Sequence, residues 1–143
     1  AENVMLFKDY MTADDMFDDT YFYEDKEDAL YMVHATEDSA GLDVVVQFGL
    51  EEIQFETVSD YIKEFYVYIE ALGEKLIQNG KYDEYDKLGL AEAAIFVLLQ
   101  DFENLRFFKG SSMDPVGMTI LLEYKFIDGE DRPVLYYIKY GLE

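Results

Sequence analysis

Few side chains in this sequence are of the types that catalyse reactions. His34 is the only histidine, and it lies in an apolar stretch between Val33 and Ala35. A serine nucleophile needs a recognisable setting such as G-x-S-x-G, and Ser111 and Ser112 lack it. The sequence has no cysteine, which excludes thiolate nucleophiles, disulfides and Cys-ligated zinc. These observations predict a protein that is not an enzyme.

Carboxylates are the abundant reactive groups, because 32 acidic residues face 11 basic ones and the net charge is −21. The four aspartates between positions 14 and 19 have the oxygen ligands that calcium or magnesium prefers. Their spacing lacks the D-x-D-x-D-G pattern of a calcium loop, so we predict no metal site. The phosphate-binding patterns G-x-x-x-x-G-K-[ST] and G-x-G-x-x-G are absent, and we predict no cofactor.

Residues 9–28 combine nine carboxylates with five aromatic rings. Tyrosine is enriched among the residues that dominate protein interfaces, and carboxylates at the rim of an interface steer an approaching basic partner. We therefore predict a partner-binding surface made of Asp14, Asp15, Asp18, Asp19, Tyr21, Tyr23, Glu24 and Asp25. The alternative, which the sequence supports equally, is that the rings close the core while the acids stay in water.

The first 56 residues predict mainly extended structure. Residues Asn3–Lys8 form a short apolar run that favours an edge strand. A hydroxyl before a run of acids predicts a short helix over about 13–19. Two stretches rich in β-branched and aromatic residues, Leu30–Thr36 and Leu42–Phe48, predict a hairpin. A further short strand is predicted near Ile53–Glu56.

The middle of the chain predicts two helices. Thr57 followed by Asp60 resembles a capping box, and Asn79-Gly80 is a typical helix end. Between them apolar residues recur every three or four positions, at Val58, Ile62, Phe65, Ile69, Leu72 and Leu76. The same rhythm predicts a second, more buried helix within about 82–105. The short connection between the two predicts an antiparallel pair.

The C-terminal part predicts a hairpin, since apolar and polar residues alternate over 118–126 and 134–140 around a turn at Asp128–Asp131. The predicted fold class is α+β: an antiparallel sheet, made of an N-terminal hairpin and a C-terminal hairpin, packed against a central antiparallel helix pair. We expect residues 1–143 to form a single globular domain.

The charge distribution guides the functional prediction. Residues 1–60 carry a net charge of −15, which repels nucleic acid and anionic membranes and attracts a basic protein. In composition and element order the chain resembles small bacterial immunity proteins. That resemblance implies an inhibitor that neutralises a basic partner, such as a nuclease toxin, by occluding its cleft.

Other functions fit the same charge. One is a DNA mimic of the anti-restriction or anti-CRISPR type, from a bacterium or phage, that inhibits a DNA-binding protein. Another is an acidic domain whose charge serves solubility alone. An exposed patch of rings would equally suit a homodimer contact. No apolar run is long enough for a membrane span, and the missing cysteines fit a reducing compartment, so we predict a cytoplasmic protein.

Overall fold

The computed structural model of this protein describes residues 3–143. Its strands are β1 (Leu6–Lys8), β2 (Asp15–Asp18), β3 (Tyr23–Lys26), β4 (Leu30–His34), β5 (Glu37–Asp38), β6 (Gly41–Leu42), β7 (Glu51–Ile53), β8 (Arg106–Lys109), β9 (Thr119–Ile127) and β10 (Glu130–Ile138). Its α-helices are α1 (Asp43–Phe48), α2 (Val58–Gln78), α3 (Tyr82–Asp86) and α4 (Leu88–Leu98), and 3-10 helices span Leu99–Asn104 and Lys139–Gly141.

An antiparallel sheet with the order β3-β4-β10-β9-β8-β7 forms the centre of the fold. Strands β9 and β10 join through Asp128 and Gly129, whose φ angles are 52° and 85°. Two positive φ angles in a two-residue turn favour an Asp-Gly sequence, because glycine adopts this region without strain. The predicted C-terminal hairpin is confirmed, and it supplies the central strands of the sheet.

Helix α2 packs on one face of the sheet, where Tyr61 lies 5.3 Å from Phe107, and α4 packs beside α2. The Thr57 hydroxyl accepts a hydrogen bond from the Asp60 amide at 3.2 Å, so the predicted helix start is confirmed. Helices α2 and α4 run antiparallel, since the Tyr66 hydroxyl donates to Glu92 while Gly73, further along α2, approaches Leu88 at the start of α4. The predicted second helix is interrupted: α3 and α4 are separate, and the last turns before Leu105 are 3-10.

The opposite face of the sheet is covered by the hairpin of β1 and β2. The Phe7 and Phe17 rings stack with centroids 4.4 Å apart, and Tyr23 and Tyr31 pack around them. Phe17 also contacts Tyr137 of β10 at 4.7 Å. The sheet is therefore a middle layer between the helix pair and this hairpin, which confirms the α+β prediction. The single-domain assignment stays a prediction, and residues 1 and 2 lie outside the described part.

The helix predicted over 13–19 is wrong. Ala13 has φ of 64°, in the left-handed region, and the chain then forms strand β2. Aspartates four residues apart would repel one another along a helix. As a strand, the segment instead buries Met16 and Phe17 completely against the sheet.

The strand predicted over Leu42–Phe48 is also wrong, because residues 43–48 form α1. The Asp43 carboxylate accepts hydrogen bonds from the amides of Thr36 and Val44, both at 2.9 Å, which fixes the first turn. Gly49, with φ of 65°, ends the helix in the left-handed conformation. The predicted pairing of 30–36 with 42–48 does not form, and β4 pairs with β3 and β10 instead.

Candidate functional site

The acidic side chains of the predicted partner-binding surface mostly have partners within the molecule. Asp18 is 8% exposed and accepts a hydrogen bond from the Thr20 amide at 3.0 Å. Asp15 forms an ion pair with Lys8 at 3.1 Å. Asp19 accepts a hydrogen bond at 3.0 Å from the backbone amide of Met5, the residue before β1. These aspartates stabilise the hairpin that carries them.

The remaining members of that set lie on or beside strand β3. The Tyr21 hydroxyl donates to Gln47 of α1, and burial raises the pKa of Tyr21. Tyr23 packs edge-on against Phe7. Glu24 lies 2.9 Å from His34, and Asp25 forms an ion pair with a lysine at the end of β10. The set is thus divided between a hairpin and a sheet edge, and its role in binding stays a prediction.

A groove of about 750 Å³ lies elsewhere, between the β7 edge of the sheet, the first half of α2 and the loop 110–117. Each of these segments contributes apolar side chains, from Ile53 and Phe55, from Val67, and from Met113 and Pro115. Val67 is 61% exposed and Met113 is 45% exposed, so the groove leaves apolar surface in water. We call it the β7–α2 groove.

The charged side chains of the β7–α2 groove are mainly acidic. Glu56, Asp60 and Glu64 line it together with Lys63 and Lys109. Lys109 is only 7% exposed, its ammonium donates to the carbonyl of Gly117 at 2.8 Å, and burial lowers its pKa. Its charge is thus directed into the loop, and the groove presents a surplus of carboxylates to solvent.

The acidic N-terminal segment holds the loop that forms one wall of the β7–α2 groove. The Ser112 hydroxyl donates to Asp14 at 2.6 Å, and Gly110 approaches Asp14 so closely that a Cβ there would overlap it. Asp9, 1% exposed, accepts hydrogen bonds from the amides of Met11 and Met118, both at 2.8 Å. Burial raises the pKa of Asp9. Asp9 and Asp14 therefore hold the loop 110–117 in place, and this loop forms one wall of the groove.

Sequence reasoning missed this groove, because its lining comes from positions 53–67 and 109–115, which are separated in the chain. One signal was present. Val67 is an apolar residue among the charged residues Lys63, Glu64 and Glu70 of α2, away from the helix's buried stripe.

The described residues show no arrangement for metal chemistry or for a hydrolytic triad. Within positions 3–143, no three His, Cys, Asp or Glu side chains are grouped to hold a metal ion. Over the same residues, His34 makes its side-chain hydrogen bond to Glu24 and none to a serine or threonine. None of the helices in this part of the chain combines the length and apolar character needed to cross a bilayer.

The fold and the groove together define a class of protein: an α+β domain with a sheet between a helix pair and a hairpin, and an open apolar groove at one sheet edge. The family model described as "TCTP: Translationally controlled tumour protein" matches residues 34–143. The chain belongs to this family.

Individual relatives agree with the family assignment. The chain is 30% identical to the translationally-controlled tumor protein homolog of Grammostola rosea, over 174 positions and 98% of both chains. It is 28% identical to the homolog of Drosophila pseudoobscura pseudoobscura, over 166 positions and 96% of both. These alignments are longer than the 143 residues of this chain, so the relatives carry segments that it lacks.

Solved structures show the same fold. The Translationally Controlled Tumor-associated Protein p23fyp from Schizosaccharomyces pombe has a TM-score of 0.76 at 23% identity, over 99% of this chain and 98% of that one. The solution structure of translationally-controlled tumor protein from Caenorhabditis elegans has a TM-score of 0.70 at 20% identity, over 97% of both.

These comparisons overturn the functional prediction made from charge. The immunity-like inhibitor, the DNA mimic and the bacterial or phage source are wrong, because the matched family and its relatives are eukaryotic. A basic toxin or a DNA-binding protein is likewise wrong as the partner. The physical reason is that several of the acids that suggested a free binding surface are engaged inside the fold, as with Asp14, Asp18 and Asp25.

Proposed function

We propose that this protein is a non-enzymatic binding module whose β7–α2 groove holds a segment of a partner polypeptide. The observation that carries the proposal is the exposure of Val67 and Met113, which lie on two different segments that line one groove. Apolar surface gathered in a concave site lowers its free energy by being covered. The carboxylates around it fix the orientation of what binds.

The shape of the groove supports a polypeptide ligand. Small molecules bind in enclosed pockets that cover most of their surface. The β7–α2 groove is open to solvent, and one wall is formed by the end of β7 and the segment after it, residues 53–56. An open groove of this kind covers one side of a chain segment while the rest of the partner stays outside.

Two further observations support a binding role without catalysis. His34, the only imidazole, is paired with Glu24 and lines a different cleft, with Thr36 and Pro133. Lys109, the buried amine beside the β7–α2 groove, donates to a backbone carbonyl rather than into open space. Neither group has the hydrogen-bonded nucleophile that general-base catalysis would use.

We also place the protein in the cytoplasm as part of this proposal. A chain without cysteine has no need of an oxidising compartment for disulfides. Fractionation of cells that express the tagged chain should recover it with cytoplasmic markers. Recovery in the medium or with membranes would contradict this part.

Selection of peptides tests the proposal. A phage library of linear ten-residue peptides is selected on the wild-type protein, and the enriched peptides are synthesised. Their affinity is measured by calorimetry for wild type, for Val67→Glu in the groove, and for Val97→Glu on α4. The two valines are 61% and 64% exposed on helices, so both variants add the same charge at sites with little packing to lose.

We expect Val67→Glu to weaken binding at least tenfold and Val97→Glu to leave it within twofold. A third variant, Asp15→Asn with Asp19→Asn, tests the surface predicted from the sequence and should also stay within twofold. The proposal is wrong if no peptide is enriched, or if both valine variants bind equally well.

A further inference from the structure

One edge of the central sheet ends at strand β7, and the segment that follows this strand has unpaired backbone groups. Among the strands of residues 3–143, β7 has only β8 as a neighbour, from Glu51 opposite Lys109 to Ile53 opposite Phe107. Beyond Ile53 the ladder stops. Among the described residues, no backbone amide or carbonyl of positions 54–56 has a hydrogen-bond partner within the protein.

The residues that carry these unpaired groups, Gln54, Phe55 and Glu56, all line the β7–α2 groove. Side chains alternate across a strand. Phe55 contacts Tyr61 of α2 at 5.4 Å, so Ile53 and Phe55 face the helices. Glu52 faces the other way, where Arg106 holds it with contacts of 2.8 and 2.9 Å. A peptide placed beside this edge would therefore contact the apolar side chains of Ile53, Phe55 and Val67 on the side of the sheet that carries the helices.

The opposite edge of the sheet, strand β3, is protected. Three of its four residues are charged, and each has a contact: Glu24 with His34, Asp25 with a lysine, and Lys26 over the Tyr136 ring. Charged edge strands discourage pairing with another chain. Strand β7 also carries charged residues, Glu51 and Glu52, but the chain beyond it continues through Gln54 and Phe55, which are uncharged and line the groove. The two edges therefore differ in the apolar surface that lies beside them.

We propose that the partner segment binds as an added strand, pairing its backbone with residues 51–56. This inference rests on the proposed function and specifies its ligand: an extended peptide, not a helix. Strand addition obtains its binding energy from backbone hydrogen bonds and its specificity from pockets for alternate side chains. Strand β7 supplies three residues of this edge and residues 54–56 supply three more, and six fully extended residues would span about 20 Å at about 3.3 Å per residue.

The groove also specifies the side chains of that peptide. Alternate residues on the helix side meet Val67 and Met113, which favours apolar side chains at every second position. Asp60 and Glu64 lie on the helix wall of the same groove. A lysine or arginine on the helix side of the peptide would neutralise them, and charge complementarity of this kind selects the register.

The test uses wild-type protein and the peptide most enriched by the phage selection. Each backbone amide of the peptide is N-methylated in turn, which removes one donor without changing a side chain. In an antiparallel or parallel ladder, alternate residues direct their amides to a given neighbour. We expect methylation at alternate positions to weaken binding at least tenfold, and at the intervening positions by less than threefold.

Amide exchange in the protein gives an independent readout. With saturating peptide, at least one amide of Gln54, Phe55 or Glu56 should exchange at least tenfold more slowly. The amides of Glu24 and Asp25, on the opposite edge, should keep their rates. Strand addition is overturned if methylation effects show no alternation, or if residues 54–56 gain no protection.

The two proposals fail in different ways. A peptide whose affinity depends on Val67 but not on alternate amides leaves the binding module standing and removes the added strand. Enriched peptides with apolar residues at helical spacings of three and four would likewise remove the added strand alone. If no enriched peptide depends on Val67, the proposed function fails and the added strand fails with it.

Discussion

Replacing Phe17 by alanine should cause a large loss of stability, whereas the same change at Phe22 should cause almost none. The two rings are five positions apart in the acidic N-terminal segment. Phe17 is fully buried, with ring centroids 4.4 Å from Phe7 and 4.7 Å from Tyr137. Phe22 is 65% exposed, and its ring contact is His34 at 4.9 Å.

The size of the effect follows from burial. Removing a buried phenylalanine side chain costs about 3–5 kcal/mol, because apolar transfer is lost and a cavity is left. Each close ring pair adds about 0.5–1.5 kcal/mol, so Phe17→Ala should lie near the upper end, at about 4–5 kcal/mol. Phe22→Ala should stay within about 0.5 kcal/mol, as exposed substitutions usually do.

Urea unfolding followed by tyrosine fluorescence measures both variants, since the chain has 13 tyrosines and no tryptophan. With a slope of about 2 kcal/mol per molar urea, the Phe17→Ala midpoint should fall by about 2 M while that of Phe22→Ala stays in place. Similar midpoints for the two variants would refute the assignment of Phe17 to the core. The rings of this segment would then have to be exposed.

Three further outcomes are expected. Burial raises the folded-state pKa of Asp9, so the stability of wild type relative to Asp9→Asn should fall as the pH rises from 3.8 through that pKa; a difference independent of pH would contradict this. Ser112→Ala should speed amide exchange of loop 110–117 about fivefold, because it removes the hydrogen bond to Asp14, while Ser111→Ala leaves the rates unchanged; equal rates in both would contradict it. Arg106→Lys should lower the urea-derived stability by about 1 kcal/mol, since lysine cannot reproduce the two-point contact with its glutamate, and unchanged stability would disprove that contact.

The elements that the sequence predicted well carry their own local signals. Helix α2 has a side-chain cap at Thr57 and a clear 3.6-residue rhythm, and its start was predicted correctly. The C-terminal hairpin has an Asp128-Gly129 turn between alternating strands. Both signals depend on residues close together in the sequence, so these elements can be predicted without knowledge of the tertiary structure.

The elements that were predicted wrongly are decided by distant contacts. Three consecutive valines favour a strand, yet residues 43–48 form a helix because Asp43 bonds to Thr36 and Gly49 ends the turn. Residues 13–19 have a helix-start sequence, but pairing with β1 and burial of Phe17 outweigh it. Local propensity is a weak prior when tertiary packing opposes it.

The site was less predictable than the fold, because charge gives no information on which acids are already paired. Asp14 is a member of the predicted surface, yet in the structure it accepts a hydrogen bond from Ser112, in the loop that forms one wall of the groove. The groove itself needs β7, α2 and the loop 110–117 to meet, and only Val67 marked it in the sequence. The net charge of −21, which is concentrated in residues 1–60, directed the prediction to the N-terminal segment and gave no indication of this groove.

A chemical-shift map tests the central claim most directly. The ¹⁵N-labelled protein is titrated with the enriched peptide, and the shift of every assigned amide is followed. The account predicts that the largest changes fall on residues 53–56, on α2 from 60 to 67 and on the loop 110–117. Changes centred on Asp15 and Asp19, or on the outer face of α4 around Val97, would contradict it.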